Sequence, residues 1–593
     1  MTKPRTGAEE VFWDLSDLYA ASDDPQIDAD IAASLEQAQA FTDAYHGKVA
    51  ELDAAELKTA LQAYEAIITL LVKLGNYAHL IWSTETQNAA LGKLLARVQE
   101  HSAKIEQMFL FFTLEWAGAP EEVAALKDDP SLAFYRHFLT VERLYQPYTL
   151  SEPEEKVISQ MSLVGDQGWT RYFGELTSNF RYPFDGEDLT QSEILTKMYH
   201  PDRDIRRRAA ESVTGVLDEN KHATTYIFNM ILLDKASKDD MRGYETWISS
   251  RNLANQVDDA TVEALIDAVT GRYDIVARYY RLLKNLLGVD ELFDYDRYAP
   301  VEKVEKSIAW DDARDMVLNA YANFDMQMAD IAGEFFQKNW IDAAIRPGKR
   351  GGAYSAGNSV TLHPYVFMNY DGEARSVMTL AHELGHGVHQ YLSRGRGELQ
   401  ASTPLTTAEM ASTFGEMLVF EHLTAQEESP AVRFSMRMEK TGNAFATIFR
   451  QIAMNRFEHA IHTARRQGGE LNTDQISDFW QQTQQAMFED SVTMRDDYRL
   501  WWSYVPHFLH TPGYVYAYAF GELLVWALYA RYQASSNGFA GRYLDVLRAG
   551  GSDYPHEILA PLGVDLQDPQ FWHEGLGLID DFIAQTEADA EAL

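Results

Sequence analysis

Apolar residues recur along much of the chain at the three- and four-residue steps of an α-helix. One such series steps by four, three, four and three and so occupies one helix face: Leu57, Leu61, Tyr64, Ile68 and Leu71. Asp53, with Glu56 three residues later, predicts the capped start of that helix. Similar patterns predict further helices over residues 91–112, 205–217, 260–286, 313–336 and much of 430–490. The chain is therefore predicted to be mostly α-helical.

Strand-forming residues are concentrated in one stretch, residues 353–369, which glycines and prolines bound on both sides. Within it, residues 359–362 and 365–368 are rich in β-branched and aromatic side chains and are predicted strands. This pattern predicts a small β-sheet directly before a helical segment at residues 373–394.

The length of 593 residues predicts at least two lobes, because single hydrophobic cores rarely serve more than roughly 250–300 residues. Residues 182–187 are rich in turn formers, and a helical pattern resumes near residue 191. We therefore expect an N-terminal helical lobe over residues 1–195 and a second lobe, which would carry the chemistry, over residues 196–593.

Composition narrows the class of protein. The chain has 51 basic and 89 acidic residues, a net charge of −38, which would repel a nucleic acid. It has no cysteine, which excludes disulfides and thiolate metal ligands. No stretch reaches the ~18 uninterrupted apolar residues of a membrane helix, and the first residues lack the apolar core of a signal peptide. We expect a cytoplasmic protein without nucleic-acid or membrane partners; the oligomeric state stays open.

Candidate chemistry lies in the run His382-Glu383-Leu384-Gly385-His386. Two histidines four residues apart are separated by only ~40° around a helix, so both imidazoles can bind one metal ion. Glu383, one position away, can instead hold a water and move its proton. This is the division of work in a zinc hydrolase. Gly385 and Gly387 are costly inside a helix and indicate a close neighbour, either a substrate or a packed backbone.

A catalytic zinc needs a third protein ligand. The metzincin class is excluded, because Leu392 stands where that class has a histidine. Glu409 is the candidate, although with Thr406 it also matches a capping box that merely starts a helix. Glu416, seven residues on, lies on the same face and could orient a ligand histidine or simply be solvated. His389 could line the site or be a buried core histidine.

Residues 381–389 and 408–416 together resemble the oligoendopeptidase F family of zinc oligopeptidases, which are relatives of thimet oligopeptidase. Residues 13–19, 348–355, 506–508 and 514–518 resemble further segments of that family, and the resemblance runs from about residue 11 to about 585. It implies a two-lobed clamshell around a deep channel, with zinc at the channel floor, and cleavage of internal bonds in short peptides.

The resemblance also implies roles for single residues. His382, His386 and Glu409 would bind one zinc ion, and Glu383 would be the base. The residues that would stabilise or contact the substrate are His507, Tyr514 and Tyr518, with His510, Tyr516, Ala353 and Tyr354 as further lining candidates. The segment at residues 348–352 lacks the spacing of a phosphate loop and predicts a turn into a strand.

Three alternatives compete with a zinc oligopeptidase. A protease that digests whole proteins is usually exported, and the chain shows no export signal. A non-catalytic peptide-binding relative would lack the base or a ligand, and all four residues are present. A structural zinc site is normally closed, whereas three protein ligands leave one position open.

Overall fold

The structure is a computed structural model, and it describes residues 5–301 and 307–591. Helices dominate the described chain, as the hydrophobic pattern predicts. In chain order the α-helices are α1 (Pro25–Tyr45), α2 (Ala54–Thr84), α3 (Ala89–Ala117), α4 (Glu121–Ala124), α5 (Arg136–Leu144), α6 (Glu152–Ser162), α7 (Asp166–Ser178), α8 (Gln191–Thr196), α9 (Arg203–Arg242), α10 (Ser249–Ala254), α11 (Asp259–Thr270), α12 (Tyr273–Leu286), α13 (Trp310–Phe324), α14 (Met326–Gln337), α15 (Ala374–Ser393), α16 (Leu405–Ala408), α17 (Met410–Gln426), α18 (Pro430–Thr447), α19 (Phe449–Gly468), α20 (Thr473–Phe488), α21 (His507–His510), α22 (Tyr516–Ala534), α23 (Phe539–Ala549), α24 (Pro555–Leu559) and α25 (Pro569–Glu591).

Within the described residues, five short strands form two sheets. A hairpin pairs β1 (Tyr182–Phe184) with β2 (Glu187–Leu189), and a three-stranded sheet has the order β3 (Ile341–Asp342), β5 (Tyr365–Phe367), β4 (Tyr354–Ala356). In the second sheet β3 pairs with β5 in parallel and β4 pairs with β5 antiparallel. This sheet precedes α15, so the predicted small sheet beside that helix is confirmed.

The predicted strand at residues 359–362 is wrong, because this segment forms a turn. The Leu362 N–H donates to the Ser359 carbonyl at 2.8 Å, and the Ser359 hydroxyl lies 2.9 Å from that of Thr361. These local bonds satisfy polar groups that a sheet would otherwise pair, and Pro364, which has no N–H, follows at once. The strand begins only at Tyr365.

The described chain divides into two compact units, each assembled from three segments. Unit 1 comprises residues up to 146, residues 307–426 and residues 532–565; unit 2 comprises residues 147–301, 427–531 and 566–591. The predicted boundary after residue 195 falls inside unit 2. Spatial units interleave along the chain because helices that pack together need not be neighbours in sequence, which a linear boundary cannot express.

Unit 1 contains a helical core built by α1, α2, α3 and α5. Its buried side chains include Phe41, Leu57, Leu61, Phe109, Phe112 and Trp116. The capping box at Asp53 and Glu56 is present, so the predicted start of α2 is confirmed. By length and composition α2 is the one described helix apolar enough to cross a membrane. Five of its buried residues belong to this core: Leu57, Ala60, Leu61, Ile67 and Leu71.

Unit 2 is centred on α9, α19 and α20, and on the 3₁₀ segment Asp496–Tyr504. Its core is rich in aromatic side chains, among them Phe228, Phe457, Trp480, Trp501, Trp502 and Phe508. Phe508 contacts both Phe228 and Phe457, with ring centroids 6.4 and 5.1 Å apart. Because Phe508 and Leu509 are anchored in this core, the backbone of the adjacent His507 is held in place.

Candidate metal and catalytic site

The central helix of the site is α15, which carries His382, Glu383 and His386 near its middle. Its apolar stripe is fully buried in unit 1: Val377, Leu380, Leu384 and Val388. The helix starts two residues after Gly372, whose φ of 85° suits a residue without Cβ, and ends at Ser393. The predicted amphipathic helix is therefore present, and its polar face bears the motif.

Glycines allow α15 and α17 to cross at very short range. A Cβ added at Gly385 would lie 2.6 Å from the Cα of Ser412, and one added at Gly415 would collide with the Tyr321 hydroxyl. The Tyr321 hydroxyl itself donates to the carbonyl of Ala381 at 2.6 Å. Of the two close neighbours expected beside Gly385, a substrate or a packed backbone, the structure shows the packed backbone of α17. This crossing brings the carboxylates of α17 to the histidines of α15.

Gly385→Ala is expected to destabilise the protein by about 1–3 kcal/mol, because the new methyl group meets backbone that cannot rotate away. Chemical denaturation followed by circular dichroism would measure the change in the free energy of unfolding. Gly75→Ala is the matched control, since Gly75 lies inside α2 with no atom within 4 Å of its added Cβ. That control should gain about 0.5–1 kcal/mol. Equal stability of Gly385→Ala and wild type would contradict the close crossing.

His382, His386 and Glu409 offer three ligand atoms that lie within 4.8 Å of one another. The Nε2 atoms of His382 and His386 each lie 3.3 Å from Glu409 Oε2. Glu409 follows the short helix α16, whose N-cap is Pro404, so it does not take part in a capping box there. The alternative that Thr406 and Glu409 merely start a helix is therefore wrong. Ser412 donates to Glu409 Oε2 at 2.9 Å and orients it.

Glu416 lies behind the first of these ligand histidines. His382 Nδ1 donates to Glu416 Oε1 at 2.6 Å, which leaves Nε2 pointing to the shared cluster. Burial opposes a charge on His382, but hydrogen bonds to Glu409 and Glu416 raise the pKa of its imidazole to about 10. Burial likewise opposes charge on Glu409, yet the two histidines lower the pKa of its carboxyl. The cluster therefore favours a positive charge at its centre.

This donor set fits a zinc ion. Two imidazole nitrogens and one carboxylate oxygen are a known catalytic zinc ligand set, and a hydrogen-bonded carboxylate behind a ligand histidine is its usual support. Glu383 adds a further carboxylate that is only 6% exposed. Burial raises the pKa of Glu383, while His382 and His386 act in the opposite direction. A carboxyl group with a raised pKa takes up a proton more readily than an ordinary carboxylate, which suits a group that accepts and returns a proton.

His389 is buried on α15, seven residues after His382 and so on nearly the same helix face. Its exposed fraction is 6%, and its Nε2 has no hydrogen-bond partner among the described residues. Burial, followed by the neighbouring His386, lowers the pKa of His389 to about 4. His389 is therefore neutral, and it is not a core histidine with satisfied hydrogen bonds.

In unit 2 the structure brings His507, Tyr514 and Tyr518 together. The Tyr518 hydroxyl lies 3.4 Å from His507 Nε2, and the rings of Tyr514 and Tyr518 are 5.0 Å apart. Tyr514 is partly exposed, and its hydroxyl has no hydrogen-bond partner among the described residues. These three side chains form one group of hydrogen-bonding functions.

His510 and Tyr516 lie apart from that group. His510 lines a cavity of unit 2 together with Lys235 and Lys238, and this cavity has a volume of about 520 Å³. The hydroxyl of Tyr516 is fully buried, donates to Asn252 at 2.8 Å and accepts from Asn255 at 2.9 Å. Of the two histidines in this segment, only His507 accompanies the tyrosines.

Gly513 takes a left-handed conformation with φ 75°. Its N–H donates to Oε1 of Glu458 on α19 at 2.8 Å. Glu458 is fully buried, and its Oε2 has no hydrogen-bond partner in the described chain. Burial raises the pKa of Glu458 to about 8, against the effects of Gly513, Arg251 and Lys235. No local motif in the sequence predicts this contact.

The raised pKa of Glu458 has a consequence for stability. The folded protein holds this proton more tightly than the unfolded chain, so stability falls as pH rises from about 4.5 to about 8. Glu458→Gln keeps the acceptor for Gly513 but cannot ionise. Relative to wild type, this variant should gain stability as pH rises, by up to about 1.4 kcal/mol per pH unit. Urea unfolding between pH 5 and 8 would measure it.

Glu175→Gln provides a control for that series, because Glu175 is an exposed carboxylate of unit 2 paired with Arg171. Its unfolding free energy should follow that of wild type at each pH. A difference between Glu458→Gln and wild type that does not change with pH would contradict the assignment.

Ala353 and Tyr354 lie at β4, the edge strand of the small sheet. The ring of Tyr354 stacks on Phe367 at 4.9 Å, and Ser355 donates to Gln390 of α15 at 2.9 Å. The preceding turn contains Lys349, whose ammonium is fully buried and donates to the carbonyl of Met368 at 2.6 Å. The turn leading into a strand is therefore present, and Lys349 has a structural role in it.

Comparisons with known proteins were made on sequence and on structure. Residues 196–578 match the model of peptidase family M3, and residues 119–182 match the model described as Oligopeptidase F. Oligopeptidase PepF of Bacillus subtilis (strain 168) is 27% identical over 542 residues, which cover 89% of this chain and 80% of that protein. The match to family M3 begins at residue 196, where the second lobe is predicted to begin. The two compact units divide the chain at other residues. The lobe boundary after residue 195 therefore stays a prediction.

Two crystal structures share the fold. A Chlamydophila abortus protein superposes with a TM-score of 0.89 at 22% identity, covering 99% of this chain and all of that one. Oligoendopeptidase-F from Enterococcus faecium gives a TM-score of 0.72 at 21% identity, covering 97% of this chain and 100% of that one. The resemblance to oligoendopeptidase F that residues 381–389 and 408–416 carry is confirmed.

Proposed function

The chain belongs to peptidase family M3, and from that premise we propose that it is a zinc-dependent oligoendopeptidase acting on internal bonds of short, unstructured peptides. One observation carries the proposal. His382, His386 and Glu409 converge within 4.8 Å, and the buried carboxyl of Glu383 is next to the first of them. Such a set holds a metal and leaves a position open, as hydrolysis requires and a structural site does not.

When bound, zinc would lower the pKa of a water toward ~7 and polarise the scissile carbonyl. In this proposal Glu383 accepts the proton of the attacking water and then donates it to the leaving amine. Its burial supports both steps, because a carboxyl group with a raised pKa takes and releases a proton more evenly. Glu416 fixes the tautomer of His382, so that Nε2 stays available as a ligand.

Peptide hydrolysis creates an oxyanion that needs hydrogen-bond donors. We assign that role to His507 with Tyr514 or Tyr518. The available hydroxyl of Tyr514 supports this assignment, as does the contact between His507 and Tyr518. We assign no such role to Tyr516, whose hydroxyl is already bonded twice.

The edge strand β4 suggests how a peptide would lie beside α15. An extended peptide can pair with such an edge through its backbone, and this mode of binding requires an unfolded segment. We therefore propose that residues around Ala353 and Tyr354 contact the substrate. A clamshell with a deep channel would further restrict substrates to short peptides, and a cytoplasmic location accords with peptide turnover.

The test uses quenched-fluorescent peptides of five to twenty residues and intact casein, with untreated, chelated and zinc-restored protein. We expect cleavage of the short peptides, loss of activity after chelation and recovery with zinc. Equal rates on casein and on a nine-residue peptide would contradict the restriction to short substrates. Full activity in the chelated sample would contradict metal dependence, and mass spectrometry of the products would show whether internal bonds are cut.

A further inference from the structure

Two arginines of unit 2, Arg297 and Arg450, lack the acidic partner that buried arginines normally have. Within the described chain, no carboxylate lies within salt-bridge distance of either guanidinium. The two acids just before Arg297 in sequence have other partners: Asp296 pairs with Arg203 and Arg206, and Asp294 pairs with Arg495 at 2.7 Å. A buried charge without a counter-charge is costly unless a ligand supplies one.

Aromatic rings and hydroxyl groups surround the two guanidinium groups instead. Arg297 is 6% exposed and lies over the rings of Tyr298 and Tyr498, at 5.2 and 4.7 Å from their centroids. Its Nε donates to the carbonyl of Asp294 at 2.8 Å. Arg450, which is partly exposed on α19, donates from Nη1 to the Tyr298 hydroxyl at 3.0 Å. Both guanidinium groups keep further N–H donors.

Two other arginines of this unit have carboxylate partners. Arg206, 2% exposed, pairs with Asp296 at 2.8 Å, and Arg495 forms two hydrogen bonds with Asp294. Arg297 and Arg450 have no such partner among the described residues, and they differ from these two in lying around one tyrosine hydroxyl.

The local field is positive. Burial opposes the phenolate of Tyr298, yet the charges of Arg450 and Arg297 lower the pKa of its hydroxyl. The same field reaches the candidate catalytic group, because Arg450, after burial and His510, lowers the pKa of His507. Tyr504, three residues before His507, also lies near Arg450. The arginine pair thus lies beside the segment that positions His507.

We propose that Arg297 and Arg450, with the Tyr298 and Tyr498 hydroxyls, bind a carboxylate of the peptide substrate. A guanidinium group matches a carboxylate in planar geometry and gives two parallel hydrogen bonds. The carboxylate is either the peptide's C-terminus or an acidic side chain near it. This inference rests on the proposed peptidase function and adds a substrate class, peptides with a carboxylate at a fixed position.

The experiment compares four nine-residue quenched-fluorescent peptides with one sequence. They carry a free C-terminal acid or an amide, and glutamate or glutamine at the second-last position. For wild type, removing the recognised carboxylate should lower kcat/KM about 10- to 100-fold, mainly through KM. The acid–amide pair reports the C-terminus, and the glutamate–glutamine pair reports the side chain. Ratios below about threefold for both pairs would overturn the proposal without any mutation.

Arg450→Gln should remove the preference, lowering kcat/KM for the preferred peptide to that for its neutral counterpart. Arg450→Lys should keep the charge but lose part of the preference, because lysine cannot form the paired hydrogen bonds. Arg499→Gln is the matched control, since Arg499 pairs with Asp478 in the same unit and is 31% exposed. It should keep the full preference. An equal loss on charged and neutral peptides in Arg450→Gln would overturn the proposal.

Binding without turnover separates the two proposals. Fluorescence anisotropy of the labelled acid and amide peptides would measure affinity directly. If wild type cleaved no peptide but still bound the charged form about tenfold more tightly, the peptidase proposal would fail while the carboxylate site stood. If it cleaved all four peptides equally and bound them equally, only the carboxylate site would fail.

Discussion

Glu383→Gln is expected to lower kcat by about 10²- to 10⁴-fold while the protein still binds one metal ion per chain. The amide is nearly isosteric with the carboxylate but cannot accept the proton of the attacking water. KM should change little, because the same surfaces contact the peptide. Stopped assays with a quenched-fluorescent peptide, and metal content by atomic emission, would measure both quantities.

The Glu383→Gln variant should fold as well as wild type, since it removes a charge that burial disfavours. Thermal unfolding would therefore show an equal or higher midpoint. Glu334→Gln serves as the control in unit 1, because Glu334 forms a partly exposed pair with Lys338 on α14. Full activity of Glu383→Gln with metal bound would remove Glu383 from the mechanism.

His386→Ala is expected to abolish both tight zinc binding and activity, a loss of at least about 10³-fold in kcat/KM. One ligand of three disappears, and the remaining His382 and Glu409 leave too few donors for a catalytic site. Zinc at about 100 times its dissociation constant should stabilise wild type by about 2.7 kcal/mol, and this stabilisation should vanish in the variant. Thermal unfolding with and without zinc would detect it.

His422→Ala is the matched histidine control, because His422 is partly exposed in unit 1 and contacts Gln426 on the same helix. It should retain zinc and full activity. Stabilisation of His386→Ala by zinc to the same extent as wild type would show that the ion binds elsewhere.

Much of the fold follows from local patterns. The periodic series at Leu57–Leu71 and the capping pair Asp53 and Glu56 both correspond to α2, since helix faces and caps depend on residues within a few positions. Two longer patterns are interrupted in the structure. Residues 260–286 divide between α11 and α12, and residues 313–336 divide at Asp325, whose side chain caps α14. Hydrophobic periodicity continues across such a break, so the pattern alone does not reveal it.

Residues 359–362 show where local preference misleads. Their side chains favour a strand, but Ser359 and Thr361 satisfy the backbone and each other in a turn. Strand propensity describes a fit to a pleated surface, and such a surface exists only once neighbouring strands are in place. The partition into two units has the same origin, because contacts between distant segments decide it.

For the site, the amino-acid pattern alone predicts the helix, the two histidines on one face and the carboxylate between them, because all three depend only on helical spacing. Tertiary structure decided the rest. Gly385 and Gly415 let α17 approach α15, and only this approach brings Glu409 and Glu416 to the histidines. The pairing of Glu458 with Gly513 and the meeting of Arg297 with Arg450 are likewise long-range. No spacing rule predicts them, because they arise from how helices pack, not from how one helix turns.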